Sequence, residues 1–145
     1  MLSTIDITTN TLATSATLNA SWSVVTNDAR ISVDIKPGEF PNSINLGSSD
    51  SIPVAILSRP GFSAPNQIEP NQLYFGRTGW EFSLISCNPK GEDVNHDNLP
   101  DLVCRFNSAQ SQLQPGDKVG ILRALIFVDG QPTLATGIDA VAIRK

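Results

Sequence analysis

The feature that most constrains the fold is a series of short apolar segments, separated by turn residues, that runs from Arg30 to the end of the chain. Ile31, Val33 and Ile35 alternate with polar residues, as in a half-buried strand. The other segments are residues 52–57, 80–85, 102–106, 119–128 and 138–143. No segment has a helical period, and ten Gly and ten Pro among 145 residues supply the turns. The pattern predicts about seven or eight strands in an antiparallel β-sandwich, immunoglobulin-like or jelly-roll-like.

The first 29 residues have a different pattern. Ser and Thr make up eleven of residues 1–26, and Asp6 is the one charged residue there. Apolar residues recur at every second position, and these lie on one face of an extended chain: Leu12, Ala16, Leu18, Ala20, Trp22 and Val24. Thirteen residues at about 3.3 Å each span roughly 43 Å, over twice the usual strand length. We therefore predict a long N-terminal strand in an extension (1–29), followed by a sandwich domain (30–145).

This long strand has two possible uses, which the sequence favours equally. It can pack in its own sandwich, or it can complete the sheet of a neighbouring subunit. An edge strand without Lys, Pro or a bulge pairs readily with another sheet. Repeated head to tail, such strand addition produces a filament. We take donation to a neighbour as the working hypothesis.

An acidic loop carries the clearest chemistry. Oxygen ligands stand at loop positions 1, 3, 5, 7 and 9, the seventh being a backbone carbonyl: Asp93, Asn95, Asp97, Leu99 and Asp101. This spacing predicts a Ca²⁺ site. It differs from an EF-hand at position 6, which is Asn98, and at position 12, which is Cys104. The alternative is a turn rich in Asp and Asn that binds nothing, and Glu92 beside the loop is expected to be a solvated surface carboxylate.

Cys87 and Cys104 bracket this loop. A disulfide between them would close about seventeen residues and contribute around 3 kcal/mol to stability in the chain-entropy model. It would also indicate an oxidising compartment. A zinc site is disfavoured because the single His96 leaves the ligand set incomplete. Two buried free thiols are the remaining alternative.

Several segments together resemble a known type of domain. They are Ile35-Lys-Pro-Gly with Phe40-Pro-Asn-Ser-Ile-Asn, then Ile52-Pro-Val-Ala-Ile-Leu, the acidic loop and Asp139-Ala-Val-Ala-Ile. This combination is similar to a calcium-binding β module of secreted and surface-exposed bacterial proteins, over about residues 30–145. The resemblance implies a non-enzymatic, extracellular module. The chain departs from the module's pattern at His96 and Asn98, where Gly is favoured.

Charge and composition argue against several functions. The net charge is −4, and no cluster of Lys or Arg supplies the surface that nucleic-acid binding needs. No apolar run reaches the roughly 18 residues that cross a bilayer. His96, the one histidine, lies inside the acidic loop, which leaves no free histidine for a catalytic triad. We expect no enzyme activity, no nucleic-acid partner and no membrane span.

Two non-catalytic functions remain. The leading hypothesis is an extracellular or cell-surface structural subunit that assembles with copies of itself through the N-terminal strand, stabilised by Ca²⁺ and a disulfide. The alternative is a monomeric, Ca²⁺-stabilised carbohydrate-binding or adhesion module, with Trp22, Trp80 and Tyr74 as candidate glycan contacts. Because Trp22 lies on the apolar face of the long strand and Trp80 opens another strand, we expect both to pack in the core.

Overall fold

The computed structural model describes residues 29–46 and 49–144, which form an all-β sandwich, as predicted. The strands are β1 (Ala29–Arg30), β2 (Ser32–Ile35), β3 (Ser43–Asn45), β4 (Ser51–Leu57), β5 (Ile68–Gly76), β6 (Leu84–Cys87), β7 (Leu102–Asn107), β8 (Val119–Val128), β9 (Gln131–Ala140) and β10 (Ala142–Arg144). Within these residues a short helix, α1 (Ala64–Gln67), precedes β5. None of the described helical structure is long and apolar enough to cross a membrane. The strand predicted over residues 12–24 lies outside the described residues.

Two four-stranded sheets form the two layers of the sandwich. The strand order is β1-β9-β8-β5 in the first sheet and β2-β4-β7-β6 in the second, and β3 and β10 form a separate pair. Within the four-stranded sheets all pairs are antiparallel except β1 with β9, and the β3–β10 pair is also parallel. These two parallel pairs differ from the antiparallel prediction. Each pairs a strand near the start of the described chain with one near its end, so no hairpin connects them and makes them antiparallel.

Alternate residues of the strands fill the space between the sheets. Every second residue of β8 from Gly120 to Ile126 is buried, as the period of a strand with one covered face requires. The rings of Phe75 in β5 and Phe106 in β7 meet between the layers with their centroids 5.0 Å apart. Such an aromatic pair adds about 0.5–1.5 kcal/mol beyond the burial of its area. The core is therefore built from both sheets.

Within residues 29–46 and 49–144, one side of the sandwich is closed and the other is open. On the closed side the chain passes from the first sheet to the second at Ile31, whose N–H donates to the Thr136 carbonyl at 3.1 Å. Gly137 of β9 allows this close approach, because a Cβ there would lie 2.6 Å from Cγ1 of Val33 in β2. On the opposite side β5 and β6 are the outer strands of their sheets.

The largest departures from the predicted strands lie on this open side. The sequence did not predict β5, because Pro70 and Asn71 disfavour a strand and a register irregularity interrupts its pairing with β8. The predicted strand over residues 80–85 is instead the shorter β6, since the carboxylate of Glu81 organises residues 78–80 into a turn. By contrast, β8 has the predicted bounds.

Candidate functional site

The loop between β6 and β7 holds the acidic residues. Its ends are joined by two backbone hydrogen bonds, because Glu92 and Asp101 each donate an N–H to the other's carbonyl at 2.8 Å. Residues 93–100 therefore project as a closed loop from the end of the β6–β7 pair. The Glu92 side chain is exposed and accepts a hydrogen bond from Asn88 Nδ2 at 3.2 Å. It does not join the carboxylate cluster formed by the other acidic side chains of the loop.

Asp101 is the buried member of that cluster, with 0% of its surface exposed. Its Oδ1 accepts the Ser58 N–H at 2.8 Å, and its Oδ2 accepts the Val94 N–H at 3.0 Å. A buried carboxylate is stable when it is hydrogen-bonded and its charge is compensated. Neither of the two ion pairs among the described residues involves Asp101. The hydrogen bonds position this charge, and a bound cation would compensate it.

Asp93 and Asp97 lie at the solvent side of the loop and shape its backbone. Asp93 accepts the N–H of Asp97 at 3.1 Å and of Asn98 at 2.8 Å, and Asp97 Oδ1 accepts the N–H of Leu99 at 3.0 Å. Partial burial raises the pKa of the Asp93 carboxyl, but these backbone donors favour its charged form more strongly and leave the pKa below its usual value. Asp93 is therefore an anion at neutral pH, as a metal ligand must be.

The oxygens of the predicted ligands converge. Asp93, Asp97 and Asp101 each offer one carboxylate oxygen, and these three oxygens lie within 4.8 Å of one another. Two oxygens that bind one Ca²⁺ at 2.3–2.6 Å can lie up to about 4.6–5.2 Å apart, so this spacing fits a single ion.

The Asn95 side chain lies beside two of these carboxylates. Its side-chain amide places one terminal atom 3.1 Å from Asp93 Oδ1 and 3.0 Å from Asp97 Oδ1. The hydrogen-bond geometry assigns this atom as Nδ2, which donates to both carboxylates. To bind a cation held by these carboxylates, the amide would have to turn its oxygen toward them.

Two residues of the loop adopt left-handed backbone conformations. φ is +60° at His96 and +68° at Asn98. Asn tolerates this region better than most residues, so the departure from an EF-hand at position 6 of the loop is mild. His96 in the same conformation is a feature that the sequence alone did not predict. Both residues stand where Gly would be the least strained choice.

Cys87 and Cys104 form a disulfide, which replaces the zinc and free-thiol alternatives. The two residues are direct partners across β6 and β7, and their Cα atoms are 3.9 Å apart. Cys104 is fully buried against the core. The link therefore attaches the outer strand β6 to β7, its one neighbour among the described strands of the second sheet, at the point where the acidic loop begins.

A second candidate site is an exposed aromatic surface, formed by Tyr74, Trp80 and Phe82. Trp80 is 50% exposed and Phe82 is 80% exposed, so the prediction that Trp80 packs in the core is wrong. The Tyr74 ring lies 6.0 Å from Trp80 and 5.3 Å from Phe82, centroid to centroid. The guanidinium carbon of Arg123 lies 4.8 Å from the Trp80 ring centroid, within cation–π distance.

Glu81 holds this surface in place. Its carboxylate accepts the N–H groups of Thr78, Gly79 and Trp80 at 3.0, 2.9 and 3.2 Å, and the Thr78 hydroxyl at 2.6 Å. Partial burial raises the pKa of Glu81, but the bonds from Thr78 and Gly79 lower it more, and it ends below its usual value. The turn is thus fixed by a charged acceptor, which explains why Trp80 faces solvent. The sequence signal for this arrangement is Thr-Gly-Trp-Glu, a turn sequence rather than a strand.

The remaining predicted residues, Leu12, Ala16, Leu18, Ala20, Trp22 and Val24 of the N-terminal strand, lie outside the described residues. Comparison of the chain with protein-family models, with curated proteins and with solved structures finds no match.

We predict that His96→Gly raises the free energy of unfolding by about 0.5–1 kcal/mol. A left-handed conformation costs a residue with a side chain about 1–2 kcal/mol, and Gly removes this cost. The greater conformational freedom of Gly in the unfolded chain offsets part of the resulting stabilisation. Asn98→Gly serves as the comparison and should gain less, because Asn tolerates φ near +68° better. Urea denaturation measures both, and a larger gain for Asn98→Gly would contradict the interpretation.

Proposed function

We propose that this chain is a non-catalytic extracellular structural subunit, which assembles head to tail with copies of itself by donating its N-terminal strand. The observation that carries the proposal is the open side of the sandwich, where β5 and β6 are the outer strands, combined with the apolar alternation of residues 12–24. If Leu12, Leu18 and Trp22 stayed in water, each side chain would lose about 1.5–3 kcal/mol of the stabilisation that burial provides. A second copy with an open sheet edge offers the surface that these side chains need.

The described domain has a contiguous core of its own, which supports a separate role for the N-terminal segment. Core residues extend from Ile31 to Val141 and come from both sheets. The described chain starts at Ala29, paired in parallel with Ala135 of β9. The extension thus joins the domain at its closed side, which leaves the open side for another copy.

Calcium in this proposal stabilises the loop that follows the outer strand β6. Asp93, Asn95, Asp97 and Asp101 would hold the ion, with the Leu99 carbonyl as a further ligand. Bound Ca²⁺ supplies positive charge to three neighbouring carboxylates that otherwise repel one another. The left-handed His96 and Asn98, at positions where the calcium-binding β modules favour Gly, support the proposed kinship with those modules.

The extracellular setting is supported by the disulfide. Cys87–Cys104 is a structural cross-link between paired strands, and such bonds persist mainly in oxidising compartments. Both cysteines of the chain are used in it. Ca²⁺ sites of modest affinity also suit an extracellular medium.

The aromatic surface favours a second candidate function, a Ca²⁺-stabilised module that binds carbohydrate. Sugar rings present C–H groups that pack on the faces of Trp and Tyr, and polar side chains at the rim bind their hydroxyls. Trp80 and Phe82 are exposed here, and Arg123 lies beside them. Tyr74 Oη donates to Gln72 Oε1 at 2.9 Å, which places an amide next to the rings.

We predict that Ca²⁺ binding stabilises the folded chain. With Ca²⁺ at a hundred times its dissociation constant, the stabilisation is about 2.7 kcal/mol, so chelation should lower the melting temperature by roughly 5–10 °C. Asp97→Asn should abolish most of this difference. Asp129→Asn is the control, because it makes the same chemical change in the exposed β8–β9 turn. Equal melting curves of the unchanged chain with Ca²⁺ and with chelator would exclude the site.

Assembly should depend on one face of the N-terminal strand. We expect Leu18→Lys to abolish sedimentable polymers, because it places a charge on the face that assembly buries, at a cost of several kcal/mol. Thr17→Lys, on the opposite face, should still assemble. Analytical ultracentrifugation and negative-stain microscopy of the full chain in Ca²⁺ compare the two. A full-length chain that remains a monomer at all concentrations would contradict the proposal.

If the carbohydrate-binding candidate is correct, Trp80→Ala should weaken binding to a retained polysaccharide at least tenfold, which corresponds to about 1.4 kcal/mol. Ile138→Ala, at a residue that is also half exposed, is the control and should leave binding unchanged. Pull-down with cellulose, chitin and xylan measures the effect. Retention that is equal in both variants would exclude the aromatic surface as the glycan site.

A further inference from the structure

A groove lies on the open side of the sandwich, between the outer strands β5 and β6. It has a volume of about 190 Å³, and its lining is largely apolar, including Ile68, Pro70, Leu84, Ile85 and Leu102. Ile68 and Leu102 form its buried floor, while Ile85 is 55% exposed. A cavity of roughly 150 Å³ holds a benzene ring, so this groove has room for one or two aliphatic side chains.

The β5 side of the groove cannot add a strand. Pro70 has no N–H to donate, and the pairing of β5 with β8 shifts register between Ile68 and Leu73. Pro and irregular pairing are two devices that protect an outer strand from further pairing. An incoming strand must therefore use the other side.

The β6 side shares only one of these devices, because its register with β7 also shifts, between Leu84 and Ser86. Its sequence, Leu-Ile-Ser-Cys, has no charge and no Pro, and the disulfide at Cys87 attaches it to β7. At the closed side of the second sheet, β2 differs: it contains the charged Asp34, and the Ile35 N–H donates to Asp139 Oδ2 at 2.9 Å. Of the outer strands in the second sheet, β6 is the one suited to pairing.

We propose that this groove is the acceptor site for residues 12–24 of a second copy, which pair with the outer edge of β6. The inference rests on the proposed assembly and names its binding surface. The segment presents an apolar face to the groove and a Ser/Thr face to solvent. Neither β6 nor residues 12–24 carries a charge, so pairing leaves no charge buried.

Chain length favours a second copy over the same chain. A strand added to β6 lies about four strand spacings, roughly 19 Å, from β2 at the closed side of the same sheet, and Ala29 is held on that side by β9 of the other sheet. The five steps from residue 24 to Ala29 span at most roughly 18 Å. The same chain would have to be fully extended around the end of the sandwich, whereas a neighbouring copy has no such restriction.

Thiol cross-linking of the full chain tests the groove. Ile85→Cys is mixed in Ca²⁺ with a tagged chain that carries Thr17→Cys, Leu18→Cys or Asn19→Cys, and a short bismaleimide is added. Ile138→Cys replaces Ile85→Cys in the control, because its exposure of 51% matches that of Ile85. The chain's two native cysteines are bonded to each other and do not react with maleimide. With Ile85→Cys, we expect at least one of the three tagged chains to form cross-linked heterodimers. Their yield should be at least tenfold higher than with Ile138→Cys.

The other outcomes each overturn the inference in a distinguishable way. Polymers that form without cross-linking at Ile85 would mean that assembly uses another surface. A link formed only within single chains that carry both cysteines would mean that the strand folds back on its own domain. An absence of polymers from the unchanged chain would remove the proposed function itself. As a second measurement, Ile85→Lys should raise the concentration needed for assembly at least tenfold, and Ile138→Lys should not.

Discussion

The interactions of the buried Asp101 carboxylate join the parts of this domain on which the proposed functions depend. Its two oxygens bind the backbone of Ser58, just after β4, and of Val94 in the acidic loop. Its own backbone closes that loop against Glu92, immediately before β7. Asp101 thus joins the acidic loop to the segment after β4, which is 43 residues away in sequence. Removing a buried, hydrogen-bonded charge leaves unpaired donors behind, at a cost of about 1–3 kcal/mol for each group. A cation beside Asp101 would strengthen this junction, because it compensates the charge that the hydrogen bonds only position.

The acidic loop and the disulfide act on the same element. Strand β6 is an outer strand of four residues, paired only with β7 in its sheet. Such a strand would separate easily from β7 without a further constraint. Cys87–Cys104 supplies one at the last residue of β6, and the closed loop after it supplies a second. Both constraints hold β6 against β7, which keeps its outer edge in place for the strand addition proposed above. The disulfide and the acidic loop therefore both lie next to the edge of β6 at which we propose that assembly occurs.

The sequence predicted those parts of the structure whose cause is local. The bounds of β8 follow from an uninterrupted alternation of apolar residues, and the convergence of Asp93, Asp97 and Asp101 follows from their spacing. The misses have tertiary causes. Strand β5 contains Pro70 and Asn71, and it exists because Leu73 and Phe75 are buried against the opposite sheet. Trp80 was expected in the core because it opens a predicted strand, but its orientation depends on the four hydrogen bonds that Glu81 accepts. Periodicity does not contain that information.

The two candidate functions occupy neighbouring surfaces and are compatible. The connection that carries Trp80 and Phe82 runs from β5 to β6, so the aromatic surface begins where the groove ends. A strand added to β6 would cover Ile85 but not the outer face of the first sheet, where Arg123 stacks on Trp80. In a filament each subunit would then present one aromatic surface at a regular spacing. Single sugar contacts of this kind are weak, but repeated contacts raise the effective affinity by about two to four orders of magnitude without any new interaction. Assembly would in that way convert a weak carbohydrate contact of the monomer into adhesion by the polymer.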